Sequence, residues 1–419
     1  MNERLLHFIW QFQYFNKSEL ASVSGEKIEV LLPGRHNTNQ GPDFLDAKIK
    51  VGNTVWAGTV ELHIKTSDWK KHRHHNDPNY QNVILHVVWD DDGVHDNIPV
   101  FELKERVSKI LLQRYEDWMG NCSFIPCEKS IPSVPDISWK SWKERLLAER
   151  LMRKAGMVEM YLQQNNFHWE ETFWWLLARS FGMKVNADAF EAVARSVPLP
   201  ILAKQKNQLH QLEALLSGQA GLLEKEFKED YPVLLQKEYK FQQAKYQLKP
   251  ISIPFHFLRM RPGNFPGVRL AQLAMLIHGS AHLFSKIKEA SSVKEVKEWF
   301  NVMANDYWHY HYRYDEISAF KKKIVGSMMA DNIIINTVAP VLFAYGNYQG
   351  GQAYKDKALQ WLEATAAEKN FVTRGFQKTG IISKTAYDSQ ALIELKTQYC
   401  DNKMCLSCAA GNAILRQTS

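Results

Sequence analysis

Cysteine is scarce in this chain, with five in 419 residues. That is too few, and too unevenly spread, for a disulfide framework. Long apolar runs are missing as well. None reaches 18 residues, and candidates such as Val338 to Tyr345 are too short to span a bilayer. Met1-Asn2-Glu3-Arg4 leads into a helix carrying Gln11, Gln13 and Asn16, so no cleaved apolar leader is predicted and the expected location is the cytoplasm, with no membrane partner. An excess of one charge is also lacking. The 52 basic and 45 acidic residues leave +7, a balance that permits nucleic acid as a partner without requiring it. No repeat of 20–50 residues and no low-complexity tail occurs.

Large apolar side chains, by contrast, are plentiful. Thirteen Trp, 21 Phe and 16 Tyr within a 45% apolar composition exclude a disordered chain. The length favours two or three domains. Up to about residue 120 the pattern reads helix (3–15), strand (27–32), strand (44–51), strand (54–65), short helix, strand (83–89), a further strand at 100–103, then helix (104–119). A Pro-rich break at 121–135 marks a linker. From 136 to 419 the spacing is helical, over 139–165, 168–182, 188–196, 200–217, 219–229, 233–245, 268–289, 293–305, 327–348, 352–367 and 385–399. The expected architecture is an α+β N-terminal domain (1–120) followed by a mostly α-helical domain (136–419) that grips substrate or a protein partner.

The densest chemistry lies between Gly41 and Trp89. Val60-Glu61-Leu62-His63-Ile64-Lys65 alternates apolar and polar residues, so Glu61, His63 and Lys65 share one face of a strand while Val60, Leu62 and Ile64 face a core. Gly52-Asn53 is a hairpin turn pair midway between Asp43 and Glu61, and it brings those two acids onto adjacent strands. Paired carboxylates with a neighbouring amine or imidazole suit a hard divalent ion and the hydrolysis of a phosphodiester. An ordinary surface hairpin would carry the same residues.

Further on, His72, His74 and His75 precede Asp77, Pro78 and Tyr80. They read either as a site for a softer metal or as a solvated helix start capped by Asp77. Cys400, Cys405 and Cys408 fall within nine residues. With Cys127 as a fourth ligand they would hold zinc or an iron–sulfur cluster and staple the chain's end to the N-terminal domain; reduced, unligated thiols are the alternative. The run Tyr307 to Tyr314 either stacks on bases or packs as a hydrogen-bonded helix. Arg259, Arg261 and Arg269 offer phosphate contacts or simple surface charge.

Gly41-Pro42-Asp43, followed 18 residues after Asp43 by Glu61-x-His63-x-Lys65, resembles the PD-(D/E)XK phosphodiesterase superfamily, and the element order resembles its restriction-endonuclease-like core. That resemblance implies a nuclease acting on DNA, less readily on RNA. It implies Asp43 and Glu61 as ligands of Mg²⁺ or Mn²⁺, and His72, His74, Asp77 and Tyr80 as supporting residues. The superfamily's lysine is replaced by His63, so either His63 takes that role or Lys65 reaches in. A catalytically inactive nucleic-acid-binding or protein-interaction protein on the same fold is the alternative. The strings HNTNQGPDF, VELHIKTSDW, HNDPNYQNVILHVVW, RLAQLA and YCDNKMCLSC are similar to a bacterial family known as domain of unknown function 2851, which implies no particular activity.

Overall fold

The structure, a computed structural model, describes every residue except Thr38, Cys122, Arg259, Thr418 and Ser419. Of the residues singled out above, Cys122 and Arg259 therefore lie outside the described set. The chain divides into two units. One comprises Met1–Trp142 together with the segment from Leu395 onward, and the other is Lys143–Glu394.

The first unit is a mixed β-sheet flanked by helices. Helix α1 (Glu3–Phe12) starts where the Asn2 side chain accepts the Leu5 amide and ends at Gln13, which turns left-handed at φ 56°. That turn cuts the helix three residues short of the 15 expected from its apolar stripe. Strands β1 (Ile28–Leu32), β2 (Arg35–His36), β3 (Phe44–Val51), β4 (Thr54–Lys65), β5 (Val83–Asp90) and β6 (Val100–Glu102) form one sheet. Its order is β1-β3-β4-β5-β6, with β2 also on β3. The β1, β3 and β4 pairings are antiparallel, and β4-β5-β6 are parallel.

The β3–β4 hairpin closes at Gly52-Asn53, as the turn pair predicts. A register shift between Phe44 and Ala47 sets Phe44 against Val60, which brings Asp43 alongside Glu61. Asp46, at φ 60°, lies within that shift. Because β4 and β5 are parallel, a crossover must connect them. It contains α2 (Asp68–Lys71) and the turns His74–Asn76 and Pro78–Tyr80. Helix α3 (Lys109–Gly120) follows β6.

The 121–135 stretch is folded into this unit. Ile125, Cys127, Ile131 and Val134 are all buried, so its prolines shape turns and its apolar residues pack. The end of the chain likewise belongs here and not with the helical unit.

The second unit is almost wholly helical. Several expected helices are broken by local backbone chemistry. The 200–217 run splits into Leu199–Gln205 and Leu209–Gln219, and 268–289 splits at His282 (φ 49°) into Pro266–Gly279 and Leu283–Glu289. The expected 219–229 helix does not form, because Gly221 takes φ 68° directly after the preceding helix. Helices Phe371–Lys378 and, in the first unit, Ala409–Arg416 were not expected. The helical run Ser327–Gln349 is long and apolar enough to cross a bilayer, but 72% of its apolar window is buried within the protein.

Tyr307 to Tyr314 forms a short helix (Asp306–His309) and one strand of a hairpin (His311–Arg313), not one continuous helix. Its rings are committed inward: Tyr307 stacks on His311 at 3.9 Å, and Trp308 is fully buried. Tyr310 is the exception, at 50% exposed. Arg269 is buried and held by Gln272 (2.9 Å) and Asn264 (2.5 Å), so it is unavailable to phosphate.

Two consequences for stability arise here. Glu213 is completely buried and accepts hydrogen bonds from Tyr231 Oη (3.0 Å), Asn305 and Trp308, with burial pushing its carboxyl up from 4.5 to about 7. The folded state therefore holds a proton that the unfolded state releases. The associated stability is complete below pH 4.5 and is lost as pH rises through about 7, worth on the order of 3 kcal/mol. Glu213→Gln should become progressively more stable relative to wild type across that range, and level off above it, in urea titrations at successive pH values. A Gly218→Ala change would drive a methyl into the Tyr239 ring, since Gly218 lies flush against it. A loss of about 1–3 kcal/mol is expected, and a denaturation midpoint equal to wild type would refute this close approach.

Candidate metal centre

Glu61 and His63 were expected to share a polar face. They do share one, but the face is buried: Glu61 is 5% exposed and His63 1%. The cover comes from the β4–β5 crossover and from α1. Burying an acid and an imidazole is costly unless each finds a partner, and the partners are specific.

Asp43 and Glu61 lock the hairpin reciprocally. The Asp43 amide donates to Glu61 Oε2 (3.0 Å), and the Leu62 amide donates to Asp43 Oδ2 (2.9 Å). The loop entering Asp43 is held by Asn37 Nδ2, which donates to the Pro42 carbonyl (3.0 Å). His7 of α1 approaches Asp43 Oδ2 at 3.2 Å. Burial, then the charges of Asp43 and Glu3, push the Glu61 carboxyl up from 4.5 to about 9.

Three imidazoles gather on the other side of Glu61. His63, His72 and His74 each offer a ring nitrogen, and the three atoms lie within 4.8 Å of one another. His63 Nε2 is 3.5 Å and His74 Nε2 3.3 Å from Glu61 Oε1. His74 Nε2 is nevertheless buried with no hydrogen-bond partner. The three imidazoles are a group that could hold a metal ion, and the Glu61 carboxylate stands beside two of them. His63 Nδ1 meets His86 Nε2 at 2.9 Å, and His63 Nε2 meets His72 Nδ1 at 3.2 Å. Burial and the neighbouring histidines push His63 down to about 2, and burial pushes His86 down to about 4. Both are neutral, the form that binds metal.

Trp69 and Tyr80 wall the cluster. The Tyr80 ring stacks on His74 at 3.8 Å, and Trp69 meets His86 at 5.2 Å and His74 at 5.4 Å. Burial, with the Glu61 and Asp43 charges, raises the Tyr80 hydroxyl to about 12. Asp77 stands outside the ligand set and caps the Pro78–Tyr80 turn by accepting the Asn79 amide (2.9 Å). His75 is exposed. Lys65 is exposed at the end of β4. Four residues of strand, roughly 13 Å, separate it from Glu61.

His7 and His86 were not among the residues singled out. His86 sits inside the apolar run Val83 to Trp89, and parallel pairing puts it beside Glu61. A lone histidine in a doubly covered strand was the available signal.

The described cysteines Cys127, Cys400, Cys405 and Cys408 all fall in the first unit and form no disulfide. Their sulfurs do not make a group within 4.8 Å as the imidazoles do. The second unit has a cavity of about 160 Å³, lined by Phe173, Trp174, Leu177 and Leu276. Its walls are mostly apolar, with Glu170, Lys206 and His282 also lining it.

The chain belongs to the DUF2851 family, described as proteins of unknown function, whose sequence profile matches residues 3–371. No curated protein and no solved structure matches it.

Proposed function

We propose that this protein is a metal-dependent phosphodiesterase that cleaves DNA at the Glu61–histidine centre of its first unit. The observation that carries the reading is His74 Nε2, buried without a hydrogen bond 3.3 Å from Glu61 Oε1 and beside His63 and His72. On this reading the first unit is a variant of the restriction-endonuclease-like core, with Asp43 and Glu61 on adjacent strands as in the PD-(D/E)XK pattern. The sheet order supports it by analogy of fold alone.

A divalent ion here would polarise the phosphate and activate water. Glu61, His63, His72 and His74 would hold it, and Asp43 would contribute the second carboxylate. Three imidazoles favour Mn²⁺ or Zn²⁺ over the Mg²⁺ that two carboxylates alone would select. A neutral, buried His63 cannot supply the positive charge of the superfamily's lysine, so its role becomes that of a ligand. His86 orients it through the Nδ1 bond, as outer-shell partners of metal-bound histidines do.

The decisive experiment uses metal-stripped protein with single- and double-stranded DNA and RNA, titrated with Mg²⁺, Mn²⁺, Zn²⁺ and Co²⁺, with Asp43→Ala as control. Cleavage that is stronger with Mn²⁺ than with Mg²⁺ and absent in the control is expected. No cleavage with any of these ions sinks the enzyme reading. Salt-sensitive binding without turnover would instead identify a binding protein on the same fold.

A further inference from the structure

The cavity of about 160 Å³ in the second unit lies among four helices. Trp169–Phe181 supplies Phe173 and Trp174 to its wall, and Pro266–Gly279 supplies Leu276. Helix Leu199–Gln205 adds Leu202, Ala203 and, just past its end, Lys206, at the spacing of one helical face. The turn 280–282 and the start of Leu283–Glu289 complete the wall. Phe173, Trp174, Leu202 and Leu276 are buried. Ala203 and His282 are exposed and Lys206 is half-buried, so the cavity runs from a deep apolar end to a polar rim.

The two charged side chains of the wall differ in what they are free to do. His282, at φ 49°, gives the helix Leu283–Glu289 no side-chain cap. Glu170 caps that helix instead, accepting the Phe284 amide at 3.2 Å and the Ser285 amide at 2.8 Å. Its carboxylate and those two amides are therefore spent on each other. Trp174 donates from Nε1 to the Ala194 carbonyl (3.1 Å), which leaves its rings as apolar wall. His278 Nδ1 meets the Lys206 carbonyl at 2.7 Å and so fixes the Lys206 backbone against Pro266–Gly279. The Lys206 ammonium, by contrast, pairs with no carboxylate among the described residues.

Protein interiors hold few voids larger than a water molecule, because an unfilled void forfeits packing contacts. An apolar cavity of about 150 Å³ admits a benzene-sized guest. Ala203 stands on the helical face where a longer side chain would fill the space. The single amine at the rim selects the head group. A phosphate draws on several donors at once, and the nearest helix amides are already taken by Glu170. One ammonium above an apolar chamber suits one carboxylate. We infer that this cavity binds a small monocarboxylic acid, with an apolar body of about six carbon atoms against Phe173, Trp174 and Leu276 and its carboxylate on Lys206. The site lies wholly in the second unit and uses none of the residues of the Glu61–histidine centre.

The test is calorimetric titration of the full-length protein with hexanoate, benzoate, hexanol, hexylamine and acetate. Hexanoate and benzoate are expected to bind wild type at least about tenfold more tightly than hexanol, the margin of one charge-assisted hydrogen bond, and to raise its melting temperature. Hexylamine and acetate should not bind, the first repelled by Lys206 and the second lacking an apolar body. Lys206→Met should erase the margin over hexanol while hexanol still binds, which also shows that the variant is folded. Ala203→Leu should fill the cavity and abolish binding of acid and alcohol alike without lowering the melting temperature. Hexanoate affinity unchanged in both variants would put the acid elsewhere and overturn the proposal. So would hexanol or hexylamine binding wild type as tightly as hexanoate, or no binding of either acid at about 1 mM. No metal and no nucleic acid enters these measurements, so failure here and failure of the phosphodiesterase reading are separable.

Discussion

Glu61→Gln should remove metal-dependent cleavage of DNA by about a thousandfold or more, while the metal-free protein melts no lower than wild type. The two halves of this expectation have one cause. Glu61 is buried beside Asp43 and Glu3, and its carboxyl is pushed up to about 9. Its proton-bound form is thus the stable one in the folded state. The stability it contributes is complete below pH 4.5 and is lost as pH rises through about 9. Glutamine keeps the shape and the acceptor for the Asp43 amide and has no charge to desolvate. A divalent ion reverses the balance, because it pairs the carboxylate that the fold alone disfavours. Wild type should therefore gain stability on Mn²⁺ addition and the variant should not. Thermal melts with and without Mn²⁺, read beside a cleavage assay, check both halves. A variant that keeps full activity, or one that unfolds, would leave Glu61 a structural acid.

Loss of His74 is expected to weaken Mn²⁺ or Zn²⁺ binding by more than about a hundredfold, whereas loss of His86 should cost only about 10–100-fold. The distinction rests on geometry. His74 Nε2 has no hydrogen bond to give up, so its replacement by alanine removes a ligand and the ring stacked on Tyr80 but breaks no hydrogen bond at that nitrogen. His86 reaches the site only through the Nδ1 of His63 at 2.9 Å. His86→Leu keeps the volume and frees that ring to turn. His63→Ala should match His74→Ala, because it too removes a ligand, the one that His86 orients. Calorimetric titration of metal-stripped variants separates the cases. Equal losses for His74→Ala and His86→Leu would overturn the division into ligand and orienting residue. Asp77→Ala should leave affinity near wild type and lower stability by about 1 kcal/mol through its lost cap.

Residue patterns were a good guide wherever structure is local. Gly52-Asn53 turns the hairpin, and the alternation in β4 puts Glu61 and His63 on one face. Each follows from backbone geometry over a few residues. The same logic failed where a break depends on a single backbone angle, as at Gly221 and His282. It also failed at 121–135, where prolines suggested a linker although Ile125, Ile131 and Val134 are buried.

The centre itself shows where local reasoning ends. Period and turn place Asp43 and Glu61 on adjacent strands, and the register shift between Phe44 and Ala47 then sets them side by side. That Glu61 and His63 are buried was decided by the crossover and by α1, which no strand period can anticipate. His86 became a neighbour of Glu61 only through parallel pairing across a long connection. His7 arrived from another helix, and Lys65 was left in solvent. Covalent neighbours set the angles of the chain, while distant packing decides which side chains share a low-dielectric space. The sequence by itself determined the elements and the paired acids. Only the tertiary structure surrounded those acids with histidines, and so shifted the expected metal from a hard ion held by oxygen toward one that also takes nitrogen.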